Sequence, residues 1–144
     1  MYVTPAHRSL AEKFMFQKSR QDAFVPDSLL DLVRFAYTEE EAEVVSALGF
    51  VSLPARAIAR RMRRPVREVR PTLESLSDRL LIQSLSLKGV PVYSFMPLVP
   101  GVFEAQMIRS EGEYGEYYRE FSRLFETFYL VRNSVRQMQS PSRD

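Results

Sequence analysis

Hydrophobic positions recur every three or four residues along most of the chain and switch to alternation once, which predicts helices interrupted by a hairpin. Up to Phe24 the helical pattern is loose, with Leu10, Phe14 and Lys18 on one side. Pro26 stands where a first helical turn tolerates proline, and Leu29, Leu30, Leu32, Val33 and Ala36 supply the next apolar face. The clearest helix start is Thr38-Glu39-Glu40-Glu41. A threonine followed three residues later by glutamate is a capping box, and the neighbouring acids complement the helix dipole. Ala42, Val45, Ala47 and Leu48 continue at helical spacing, and Gly49 is expected to close the helix as a left-handed cap. The segment from Phe50 to Leu53 is short and β-prone.

Pro54 opens another helix, with Ala55, Ile58, Ala59 and Met62 on one side and Arg56, Arg60, Arg61, Arg63 and Arg64 on the other. Pro65 opens the next, along which Val66, Val69, Leu73, Leu76, Leu80 and Leu81 recur at helical intervals. Pro71 lies inside that pattern and removes the hydrogen bond reaching back to Arg67, so a kink or a late helix start is expected. After Leu80 the period becomes two. Ile82, Ser84 and Ser86 alternate with Gln83, Leu85 and Leu87, which predicts a half-buried strand. Lys88-Gly89 is the turn, Val92 to Met96 the returning strand, and Pro97 and Pro100-Gly101 end the hairpin. From about Glu111 to Met138 a last helix is expected. Its Tyr114, Tyr117, Tyr118, Phe121, Leu124, Phe125, Phe128 and Tyr129 recur every three or four residues.

Helix, short strand, helix, tight turn, helix and hairpin is the order of a winged helix-turn-helix, and Met62-Arg63-Arg64-Pro65 has the length its turn needs. The expected fold is mainly α with a β-hairpin wing, a winged helix-turn-helix plus flanking N- and C-terminal helices. The expected organisation is an N-terminal helical extension over 1–25, a winged-helix domain over 26–109, a C-terminal aromatic-rich amphipathic helix over 110–138 and a frayed tail over 139–144.

Composition narrows the chemistry. The chain has no cysteine, which excludes disulfides, thiolate zinc sites and cysteine-held iron–sulfur clusters. No apolar run reaches the roughly 18 residues of a spanning helix, and Arg8, Glu12, Lys13, Lys18 and Arg20 break up any signal-peptide layout. A soluble cytoplasmic protein with no membrane partner is therefore expected. The net charge is only +2, yet residues 51–79 hold eight arginines against Glu68, Glu74 and Asp78, a net of +5. Arginine's planar fork suits phosphates and guanine edges.

The stretches Thr38 to Ala42, Ala57 to Ala59 and Leu73 to Leu76 resemble the winged-helix segment at the front of bacterial 4Fe-4S ferredoxin-type proteins. The link from Met96 to Gln106 is similar to that family's P-x-x-P-G-x-x-E-x-Q pattern, and the helix bearing Phe121, Leu124, Phe125, Glu126 and Phe128 is similar to its F-x-x-x-F-E-x-x-F helix. The likeness covers roughly residues 37 to 130. The cysteines that would follow are missing, so the redox function does not carry over. The chain is either a stand-alone relative or the front piece of something longer.

Two functions from different classes follow. In the first, the protein is a transcription-regulator-like DNA-binding module. Arg56, Arg60, Arg63, Arg64, Arg67 and Arg70 then meet duplex DNA, with Lys88 on the wing contacting phosphate. In the second it is a protein-interaction or regulatory module, its arginines meeting an acidic protein partner. The aromatic residues Tyr114, Tyr118, Phe121, Phe125 and Phe128 are expected to pack on the body, and the leftover face of their helix is the candidate for docking or for pairing two chains as a homodimer. His7, the only histidine, is expected at the surface near a mobile terminus. Glu104 and Gln106 gain interest through the resemblance, and helix capping or bracing of the wing is their plainer role. No nucleophile–base set, carboxylate pair or phosphate-cradling glycine loop is visible, so no enzyme and no cofactor are expected.

Overall fold

A computed structural model of the chain describes residues 4–15, 25–109 and 115–139, with the backbone alone over 108–109 and 131–139. In chain order the elements are helices α1 (Pro5–Phe14), α2 (Asp27–Ala36) and α3 (Glu39–Ala47), strand β1 (Leu53–Pro54), and helices α4 (Ala55–Met62) and α5 (Val66–Asp78). Strands β2 (Gln83–Leu87) and β3 (Val90–Ser94) follow, then a wide turn at Leu98–Val102 and helices α6 (Phe103–Arg109) and α7 (Gly115–Gln139). The molecule is mainly helical with one small antiparallel sheet, as the change of period predicts.

The sheet runs β1-β3-β2, with Leu53 opposite Tyr93 on one side of β3 and Leu85 opposite Val92 on the other. Lys88 and Gly89 both adopt positive φ, 51° and 80°. That is the geometry of a two-residue hairpin turn matched to the strand twist. For Lys88, which carries a Cβ, it costs about 1 kcal/mol.

One continuous core joins α1 to α5 and α7 to the sheet, with Phe103 of α6 packed against it. Leu10 and Phe14 of α1, Leu29 and Val33 of α2, Ile58 of α4, Leu73 and Leu76 of α5, Phe95 beyond β3, and Phe121 and Phe128 of α7 belong to it. Cutting a leucine in such a setting back to alanine costs about 2–5 kcal/mol. The capping box forms as written: Thr38 Oγ1 accepts from the Glu41 N–H at 3.1 Å, and Glu41 Oε1 accepts from the Thr38 N–H at 2.8 Å.

Three expectations are corrected and one is narrowed. His7 is buried, because α1 is docked by its apolar side and brings the ring Nε2 within 2.8 Å of the Tyr37 carbonyl, while Nδ1 meets Thr4 Oγ1 at 2.7 Å. Gly49 is no left-handed cap: α3 ends at Leu48 in extended conformation, and Gly49 gives its carbonyl to the Phe95 N–H at 2.8 Å. Of the kink or late start expected at Pro71, the late start is not taken: α5 begins at Val66 and runs through Pro71, which lies on an exposed side. Finally, β2 is exposed along its whole length, with α5 reaching it through the Ser77 hydroxyl at Ser84, 2.6 Å away. Lys18 and Tyr114 lie outside the described residues.

Candidate nucleic-acid interface

The amphipathic patterns of α4 and α5 bury Ala55, Ile58 and Ala59 on one helix and Val69, Leu73 and Leu76 on the other. Their remaining sides carry the arginines. α4 ends where Arg63 takes left-handed φ and ψ of 57° and 43°, with the Arg64 N–H closing back onto the Ala59 carbonyl at 3.0 Å. Arg63, Arg64 and Pro65 alone separate α4 from α5.

The eight arginines of this region divide into two groups. Arg64 pairs with Glu43 at 2.5 Å, Arg61 donates to the Ala47 carbonyl at 3.1 Å, and Arg79 pairs with the buried carboxylate of Glu41. These side chains tie α4 and the end of α5 to α3. Arg56, Arg60, Arg63, Arg67 and Arg70 are exposed, and no described carboxylate lies within ion-pair distance of them. Arg56, Arg60 and Arg63 follow one another at helical spacing, as do Arg67 and Arg70. Of the seven residues expected to meet DNA, Arg64 is therefore engaged within the fold. Lys88 stands exposed at the hairpin tip.

Arg56 and Arg70 share an open cleft of about 310 Å³ bounded by the start of α4, the middle of α5 and strand β3. Pro54, Ala55, Val90 and Pro91 give it apolar walls, and Glu74 and Tyr93 add a carboxylate and a phenol. Burial first, and then the Glu74 carboxylate, pushes the Tyr93 phenol above its ordinary value, while the Arg70 guanidinium opposes that shift. Composition alone cannot group these residues, because Tyr93 on β3 and Arg70 on α5 come to one cleft through tertiary packing and not through sequence spacing.

The aromatic residues divide as well. Phe121 and Phe128 are buried in the chain's own core, which removes them from any docking surface. Phe125 is half-buried against Phe103 at 4.1 Å between ring centres, and Tyr118 is half-buried. Tyr117 stacks on Phe35 of α2 at 5.2 Å. Among the described apolar side chains of α7, Tyr129 and Leu130 are exposed.

Glu104 and Gln106 both take structural partners. The Glu104 carboxylate accepts from the Gly101 N–H at the start of α6. Gly101 has φ of 155°, and a Cβ there would come within 2.8 Å of Met96 Cγ. Gln106 is wholly buried and its amide donates at 3.1 Å to the carbonyls of both Arg79 and Leu80, where α5 gives way to β2. Among the described residues no group of three His, Asp or Glu side chains could hold a metal ion, and no helix is long and apolar enough to cross a membrane. Compared with known protein families, with curated proteins and with solved structures, the chain matches none.

Proposed function

We propose that the chain is a winged-helix DNA-binding module, transcription-regulator-like, in which α5 lies in the major groove and the β2–β3 hairpin is the wing. The element order α3, β1, α4, α5, β2, β3 and the sheet order β1-β3-β2 support this reading. The observation that carries it is the set of exposed arginines on α4, its turn and α5 that have no described carboxylate to meet, beside three that do find protein oxygens. Arg67 and Arg70 point from α5 to the groove, while Arg56, Arg60 and Arg63 track the phosphate backbone. Lys88 reaches the adjacent phosphates from the wing tip.

The test is fluorescence anisotropy with random duplex DNA at low and then physiological salt. Affinity should fall steeply with salt, with a slope of log K against log salt of about −3 to −4 if Arg56, Arg60, Arg63 and Lys88 each neutralise a phosphate. The double substitution Arg67→Glu/Arg70→Glu, verified as folded by circular dichroism, should abolish binding. No binding by the wild-type protein even at low salt would overturn the DNA reading and leave an acidic protein partner as the occupant of the same arginines.

A further inference from the structure

Strand β2 is the outer strand of the sheet, and among the described residues no strand lies beyond it. Natural edge strands are usually blunted by charge, proline, a bulge or a covering element, since unpaired backbone groups invite another strand. Among the described residues β2 has none of these. Between Leu80 and Leu87 there is no charged residue, and the five residues Gln83–Leu87 pair with β3 in unbroken register. Its outer face is apolar as well: Leu85 is 59% exposed, Leu87 55%, and the adjacent Val90 51%.

The free groups can be identified. A two-residue hairpin closes on a hydrogen-bonded pair, here Leu87 with Val90, and such pairs alternate along an antiparallel ladder. Leu85 and Gln83 therefore also turn their backbone groups toward β3. Ser84 and Ser86 turn theirs outward, each with one N–H and one C=O. Pro91 fits the same alternation, since it stands opposite Ser86, where the β3 backbone faces away from β2.

We propose that this edge pairs with the same edge of a second copy of the chain, antiparallel, about a two-fold axis through Leu85. The occupant is a second copy because the strand is complementary to itself in that register. Ser84 of one copy falls opposite Ser86 of the other, so their outward N–H and C=O groups satisfy each other and their hydroxyls meet on one face. Leu85 then faces Leu85 in a non-hydrogen-bonded pair, the closer kind, with the Leu87 side chains flanking it. No like charges meet along the strand. The result is a continuous six-stranded sheet. Because the axis is perpendicular to that sheet, both copies of α5 lie on one side of it. Five residues per copy is a small contact beside the 20–30 per side of a standard interface, so the dimer is weak and depends on concentration.

This inference does not rest on DNA binding, and sedimentation equilibrium over rising concentrations of the full chain tests it. The wild-type protein should pass from monomer to dimer. Leu85→Lys should weaken the dimer about tenfold or more by setting ammonium groups against each other across the axis. Ser86→Pro should do the same by removing an outward donor while leaving the β2–β3 ladder intact. Leu130→Lys, on the exposed side of α7, should leave the dimer unchanged. A wild-type chain that stays monomeric to millimolar concentration would overturn the proposal. So would a dimer that survives both Leu85→Lys and Ser86→Pro.

Discussion

On the side of α4 and α5 that meets α3, arginines end on protein oxygens: Arg64 on Glu43, Arg61 on the Ala47 carbonyl, Arg79 on Glu41. On the side toward the hairpin, Arg56, Arg67 and Arg70 stand in solvent around an open cleft or beside it. The residue type is the same and the helices are the same, yet the roles are opposite. The difference is made by α3, whose first turn carries Glu39, Glu40 and Glu41 for its own dipole and then lends its acids to the next helices. Glu41 serves both ends of this arrangement, one carboxylate oxygen capping α3 and the other meeting Arg79. A count of arginines overstates the charge available to a partner, because part of it is spent on holding the helices together.

The contrast can be broken most severely at the anchored side. Gln106→Ala should cost about 3 kcal/mol by chemical denaturation, since it leaves a cavity and strips the buried donors from the Arg79 and Leu80 carbonyls. Glu41→Ala should cost about 2 kcal/mol, combining a lost cap with a lost partner for a partly exposed guanidinium. On the free side, Arg67→Ala and Arg70→Ala should each leave stability within about 0.5 kcal/mol of wild type. A loss on that side as large as at Glu41 would dissolve the distinction.

The finest effect concerns Tyr93. Its phenol is held above the ordinary tyrosine value by burial and then by Glu74, against Arg70. A raised value in the folded chain means stability that is present below pH of about 10 and lost as the pH climbs through the folded value. Absorbance titration should show Glu74→Gln lowering the Tyr93 transition and Arg70→Ala raising it. Movement in the same direction for both would mean that the cleft does not hold the two charges against the phenol.

What could be read from the sequence was local. The capping box from Thr38 to Glu41 spans four residues, the hairpin turn two, and the helical faces of α2, α4 and α5 follow from spacing alone. The side chains that were misread all depend on distant partners. His7 is buried by a carbonyl thirty residues later. Arg64, expected to meet DNA, is claimed by a glutamate 21 residues earlier. Gln106 fits its plainer reading as a brace, although the carbonyls its amide meets, 26 and 27 residues back, could not be named from spacing. β2 alternates like a half-buried strand, but alternation says only that two faces differ and cannot say whether either is covered. The candidate interface was legible as a run of positive charge, and its division into tied and free arginines was not.

The Gln106 amide also sets how the molecule would respond to load. It ties α6 to the two carbonyls that follow α5, the point from which the hairpin springs, so α6 and the hairpin share a common joint. A force or ligand that shifts α6 acts directly on those two hydrogen bonds, because the Gln106 side chain is wholly buried and held at both carbonyls. It must either break that joint or swing the hairpin relative to α5, which makes α6 a lever on the spacing between the two.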